Sequence, residues 1–450
     1  MINRACVATL FLLGLNACAI QQAERDNEGV RITDAGGETT QTHSQQIVQN
    51  LSRQSDYPAL ARMAAEISAL SELPLYTDNQ VELLIDGPET YRSMRQAIEA
   101  AEHYILLETY IFADDTEGLQ FAELLAEKSA AGIVVKVIYD SIGSFGSDPD
   151  FFKRMENSGI ELLEFNQANP VEGGNPLKLN NRDHRKILVV DGSVAFTGGI
   201  NLSSTYSSGS ASRQKRNPDR EGWRDTHVAI RGPAVAGFKV KFLENWEALA
   251  GDMPLPAVPQ EPAEMPGKEI VAILSARGGN NVESAIFTAY LDAIRMAHER
   301  IWITQAYFAP DEQFMSLIKQ AARRGVDVRI LVPGLSDSSM VLNASHSRYS
   351  DLLKAGVRLW ETQHALLHAK AAVIDGVWST VGSSNLDYRS FLHNDELNAF
   401  VLGPKFGSQM EAQFESDIAA GHEITYPTWK KRPLWDKIHE KFSWLVEYWL

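Results

Sequence analysis

NRDHRKILVVDGSVAFTGGINLSS, Asn181 to Ser204, reads as two β-strands joined at Asp191-Gly192. An Asp-Gly pair between β-branched, apolar runs is the strongest short-range signal for a hairpin. Side chains two apart on a strand leave the same face, so His184 and Lys186 project together. The returning strand brings Asn201 back to that end. The chain then does this again. LLHAKAAVIDGVWSTVGSSNLDYRS, Leu366 to Ser390, carries His368, Lys370, Asp375, Gly382, Ser383 and Asn385. Counted from the histidine, Lys, Asp, Gly and Asn fall at intervals of 2, 7, 14 and 17 in both copies.

The repeat extends well beyond the hairpins. YILLETYIFADD (Tyr104 to Asp115) aligns with RIWITQAYFAPD (Arg300 to Asp311), GIVVKVIYD (Gly132 to Asp140) with GVDVRILVP (Gly325 to Pro333), and GIELLEF (Gly159 to Phe165) with GVRLWET (Gly356 to Thr362). Short β-branched runs alternating with helical segments predict an α/β fold, each copy a mostly parallel mixed sheet flanked by helices. Between the copies GDMPLPAVPQEPAEMPG, residues 251–267, holds five prolines and reads as a linker. The predicted order is a helical segment at 47–75, domain 1 at 76–250, the linker, domain 2 at 268–405 and a Trp-rich helical segment at 406–450.

The residue types in the hairpins suit phosphodiester chemistry. An anionic phosphodiester is attacked only where cations and donors neutralise its oxygens. Lys186 and Lys370, with Asn201, Ser383 and Asn385, are candidates for that task without a metal or cofactor. A neutral imidazole can attack phosphorus to give a covalent phosphohistidine, while a second, protonated one serves the leaving alkoxide and then the incoming hydroxyl. One copy alone would be half a site. Asp191 and Asp375 complete the motif, although an Asp-Gly turn favours a structural task for them. Better partners for fixing the imidazole tautomers are Asp225 in GWRDTHV and Glu396 in NDELNAF, each opening a strand expected beside its own hairpin, with Glu396 preferred. Tyr110, Tyr307 and Phe308 are expected to wall or floor the cleft. Walker, dinucleotide, H-E-x-x-H and C-x-x-C motifs are absent from the sequence.

This double H-x-K-x₄-D signature resembles the phospholipase D superfamily, and GWRDTHVAIRGPAV, PGLSDSSMV and GSSNLDYRSFLHNDELNAFV resemble the bacterial cardiolipin synthases within it. The resemblance covers about Leu75 to Pro404. It implies two phospholipase D-like domains sharing one active site at a pseudo-twofold interface. It also implies a downstream acid as the histidine's partner, and His184, by analogy, as nucleophile. The reaction implied moves a phosphatidyl group from phosphatidylglycerol to histidine, then to a second phosphatidylglycerol or another phospholipid, releasing glycerol. Hydrolysis to phosphatidic acid by the same residues is the alternative, and an endonuclease a more distant one.

Net charge is −16, from 42 basic and 58 acidic residues, which disfavours nucleic acid as a partner. The only cysteines are Cys6 and Cys18. A basic start, an apolar run too short to span a bilayer, and Leu15-Asn16-Ala17-Cys18 resemble a lipoprotein signal over residues 1–17. Acylated Cys18 would then anchor the chain to a membrane facing the periplasm of a bacterial envelope, through a polar tether at 18–46. The family's many membrane-spanning N-termini are, on this reading, replaced by that anchor. Arg213, Lys215, Arg216, Arg220 and Arg224 could guide lipid headgroups, or lie in a solvated insertion. Near the end, Trp435, Ile438, Phe442, Leu445 and Trp449 recur at helical spacing, as a core-packed or an interfacial helix would require. Oligomeric state leaves no signature.

Overall fold

The structure is a computed structural model that describes residues 29–55, 57–167, 180–210, 222–251, 255–256, 267–279, 284–336, 338–433 and 435. The candidate signal and Cys18, most of the proline-rich linker, the basic loop other than Arg224, and the C-terminal apolar stripe beyond Trp435 lie outside the described residues.

The duplication is visible strand for strand. In domain 1 the sheet runs Leu75–Ile85, Thr226–Arg231, Val194–Gly198, Ile187–Val190, Tyr104–Thr109, Val134–Asp140, Glu161–Phe165. Domain 2 repeats that order with Glu269–Ala276, Asn394–Leu402, Trp378–Gly382, Lys370–Ile374, Arg300–Gln305, Asp327–Pro333, Arg358–Thr362. The fold is α/β, as expected, but the sheets are less parallel than the sequence suggests. Only the last three strands of each run parallel, because the hairpin and the strand that returns to it must pair antiparallel. The long strand Leu75–Ile85 pairs antiparallel with both Thr226–Arg231 and Glu269–Ala276, so it fuses the two sheets.

Local chemistry explains the shared outline. Asp115 and Asp311, which end the aligned segments, each N-cap the next helix by accepting from Gly118 and Phe314 N–H groups. Both hairpin turns have the paired positive φ that an Asp-Gly turn supplies, with Asp191 and Gly192 at 52° and 65° and Asp375 and Gly376 at 51° and 66°. Helices Ala234–Ala250 and Pro404–Ala420 fill the space between the sheets, burying Phe238, Phe242 and Trp246 with Phe406, Met410 and Phe414 in one common core. The remaining helices cover the outer faces. The docking of the domains is therefore hydrophobic and extensive, which holds the interface residues in fixed positions.

The polar stretch read as a tether to residue 46 ends earlier. Ile32–Asp34 adds to the sheet beside Leu75 and Tyr76, and a helix starts at Gln41, N-capped by Thr40. No described helix is long and apolar enough to cross a membrane.

Candidate active site

Two very short parallel ladders stitch the domains together beside the motifs. Arg182-Asp183 pairs with Asn394-Asp395, and Trp223-Arg224 pairs with Leu366-Leu367. They are related by the duplication. In the first the His184 N–H donates to Asp395 O at 2.9 Å, and in the second the His368 N–H donates to Arg224 O at 2.8 Å. Each ladder delivers the next residue of one domain to the histidine of the other.

The acids are therefore exchanged. His184 Nδ1 lies 3.0 Å from both carboxylate oxygens of Glu396, and His368 Nδ1 lies 2.8 Å from Asp225 Oδ2. Asp225 and Glu396 are the partners that the sequence points to, but neither serves the histidine of its own hairpin. The signal could not reveal this, because strand order fixes which hairpin an acid follows and not which domain its side chain enters. The residue after each motif glycine is fitted to its acid. A Cβ on Gly199 would lie 2.1 Å from Asp225 Oδ1, so only glycine fits there. Ser383, at the equivalent position, instead donates to Glu396. Its hydroxyl is thereby placed to orient the acid.

Lys186 and Lys370 curl back so that each ammonium donates to the carbonyl of its own histidine. The Tyr110 ring stands edge-on to His184 with centroids 5.1 Å apart and lies 5.4 Å from Lys186 Nζ. Trp223 and Tyr206 flank His368 at 5.2 and 5.7 Å. Asn201 accepts from Ile111 N–H and donates to Tyr206 OH at 2.8 Å, so it supports a wall of the His368 pocket. Asn385 Oδ1 is buried without a hydrogen bond and its N–H donates to Ser390. Phe308 is not a cleft wall. It is fully buried in the domain 2 core, as Phe112 is in domain 1.

Asp191 and Asp375 stand at the far ends of their strands from the histidines. Asp191 accepts from the N–H groups of Glu102, His103 and Tyr104 at 2.7 to 2.9 Å, and Asp375 from those of His298, Glu299 and Arg300 at 2.7 to 2.8 Å. Both tie the hairpin turn to the neighbouring strand. The motif aspartates are thus placed as structural anchors and not as reacting groups.

Electrostatics makes the paired histidines unequal. Burial, then the charges of Lys186, Lys370 and His368, holds His184 well below the ordinary imidazole range. His368 is also lowered, by burial and Lys370, but Asp225 opposes the shift. Burial would raise Asp225, yet His368, Lys370 and the Thr226 N–H outweigh it and hold the carboxyl low. Burial raises Glu396 to about 7, against its bond from Ser383 and the charge of Lys186. Lys186 falls to about 7, with burial as the main cause. These mutual effects place both lysines and both histidines in one electrostatic site.

Two supporting sets went unread in the sequence. Arg185, between His184 and Lys186, points to the opposite face, where it is fully buried against Glu108, Asp183 and Asp395. Strand alternation carries that signal. Arg224, expected to guide headgroups or to lie in a solvated insertion, is instead buried in a bidentate pair with Asp417 at 2.9 and 2.7 Å, while Asp86 accepts the Asp225 N–H at 2.9 Å. No group of three or more metal-ligating side chains occurs among the described residues.

A fold of two duplicated α/β units that exchange acids across paired histidines defines a phospholipase D-like enzyme. The family model described as "Cardiolipin synthase, PLD-like domain" matches residues 94–211 and 290–418. Cardiolipin synthase A of Pseudomonas entomophila (strain L48) is 36% identical over 374 residues, 83% of this chain and 75% of that one. The cardiolipin synthase of Halalkalibacterium halodurans is 33% identical over 379 residues, 82% of this chain and 72% of that one. Among solved structures, phosphatidylserine synthase from Haemophilus influenzae Rd KW20 shares the fold with a TM-score of 0.58 at 14% identity, covering 82% of this chain and 95% of that one. The chain belongs to the cardiolipin synthase family of phospholipase D-like proteins and is a phospholipase D-type phosphatidyltransferase.

Proposed function

We propose that the chain makes cardiolipin from two molecules of phosphatidylglycerol through a phosphohistidine on His184. The observation that carries this reading is the exchanged pair of dyads, His184 with Glu396 and His368 with Asp225, around two lysines. His184 is the more strongly held neutral, and with Nδ1 donating to Glu396 its Nε2 lone pair is free to attack phosphorus. The phosphorus–oxygen bond to glycerol breaks as His368 donates its proton to that oxygen. Asp225, ionised, supports the charged form of His368. Glycerol leaves, and His368 then takes the proton from the hydroxyl of the second phosphatidylglycerol. That oxygen attacks phosphorus and the phosphorus–nitrogen bond breaks, which regenerates both histidines. Lys186 and Lys370 neutralise the phosphate oxygens throughout. Another phospholipid can take the acceptor's place by the same steps.

The purified full chain, given phosphatidylglycerol vesicles, is expected to form cardiolipin and glycerol in equal amounts by mass spectrometry. Phosphatidic acid as the product would replace transferase with hydrolase, and inertness toward phospholipids would overturn the reading. His184→Ala and His368→Ala should each abolish turnover. The envelope location proposed from the sequence has its own test, since Cys18→Ser should release the protein from the membrane fraction.

A further inference from the structure

Eight large apolar side chains are most exposed among the described residues, and four of them, Ile142, Phe145, Leu335 and Met340, lie on or beside two loops. These loops are equivalents. Each follows the middle parallel strand of its sheet, Val134–Asp140 or Asp327–Pro333, and Ile142 and Leu335 each sit two residues past the strand end. Both are about equally exposed, at 40% and 42%. A soluble surface scatters such residues singly, whereas their recurrence at matched positions marks a surface that meets something apolar.

The first loop borders the catalytic site, and the second is tied to the strand that precedes the other motif. Asp140, at the strand end, accepts the Asp183 N–H at 2.8 Å, one residue before His184. In the other copy Gly334 N–H donates to Thr362 O, on the strand that leads toward His368. The first loop is rigidly seated. Asp140 Oδ1 accepts from Ile142 and Gly143 N–H groups, Ser144 Oγ accepts from Phe112 N–H, and Ser147 Oγ donates to Phe112 O. A Cβ on Gly143 would lie 2.1 Å from Tyr110 O, so the loop rests directly on the segment whose Tyr110 ring touches His184. On this braced support Phe145 is nevertheless 80% exposed. Ser141 to Ser147 contains no ionisable residue, in a chain of net charge −16. An uncharged apolar tip carries no charge of its own into a phospholipid surface, with the exposed Asp148 and Asp150 following it on the chain.

We infer that Phe145, with Ile142 and Leu335, inserts into a phospholipid bilayer and seats the mouth of the cleft against it. The inference rests on the phospholipid-substrate reading above and adds the surface by which such a substrate is reached. Two loops related by the duplication would straddle the mouth, so that a lipid headgroup could rise to the histidines while its acyl chains stay in the bilayer.

The test places a benzoylphenylalanine photo-crosslinker at position 145 of the full chain, and at Glu127 on an outer helix as reference. Vesicles of equal phosphatidylglycerol and phosphatidylcholine are added, and adducts are read by mass spectrometry. Lipid adducts at 145 and not at 127 are expected. Their absence at 145 overturns the inference, as do adducts joining two copies of the chain in their place. Because this readout needs no turnover, it stands even if the proposed reaction fails. In kinetics, Phe145→Ser should lower turnover of vesicle phosphatidylglycerol about tenfold, through apparent KM. Turnover of a short-chain, monomeric phosphatidylglycerol should be unchanged. Equal loss on both substrates would assign Phe145 to the cleft and overturn the inference.

Discussion

Glu396→Gln isolates the charge of one exchanged carboxylate. The amide keeps the shape and can keep contacts to Ser383 and Asn394, but it cannot stabilise positive charge on His184. Both carboxylate oxygens lie 3.0 Å from Nδ1 in a fully buried setting. At that range, with an effective dielectric near 20, a unit-charge interaction is worth about 5.5 kcal/mol. Discounting for relaxation and for the other cations, kcat/KM should fall by about 10² to 10³. The decisive readout is the titration of each imidazole by nitrogen NMR. Loss of the carboxylate should lower His184 further while His368 holds its position, and Asp225→Asn should do the reverse. If Glu396→Gln moved His368 and left His184 unmoved, the exchanged pairing would be wrong.

The pH dependence has two opposed limbs. Glu396, raised to about 7 by burial, must be ionised, so activity is lost as pH falls through that value; Lys186, lowered to about 7, and His368, held below the ordinary imidazole value by burial and Lys370, must be protonated, so activity is lost as pH rises. A narrow bell in kcat/KM centred near neutrality follows, and a profile flat through neutrality would refute it. Asp191→Ala removes three hydrogen bonds and puts alanine at a φ of 52°. It should cost about 3 to 5 kcal/mol of stability, seen as a lower Tm, with kcat per folded molecule unchanged. Asp191→Asn should restore much of that stability. An unchanged Tm with a lost kcat would return Asp191 to the chemistry.

What the sequence discloses follows from the range of each signal. The hairpins, their Asp-Gly turns and the duplication rest on patterns a few residues long repeated in register, so they were fully legible. The acids were legible as residues because each opens a strand, but their exchange depends on ladders only two residues long, Arg182-Asp183 with Asn394-Asp395 and Trp223-Arg224 with Leu366-Leu367, which have no periodicity. Arg224 read as a solvent-facing cation since its partner Asp417 is 193 residues away. Ser383 was open to a phosphate-binding task because its partner Glu396, only 13 residues on, is brought beside it by the return of the strand. The polar start of the chain concealed Ile32–Asp34, a strand too short to alternate visibly.

The exchange of carboxylates also governs what breathing of the molecule can do. If the domains part by the width of one solvent layer, both imidazoles lose their counter-ions together, since neither half keeps its own. On the proposed mechanism, a phosphohistidine left in a parted cleft would face a His368 deprived of Asp225, so the seam between the halves would act as an interlock on the reaction.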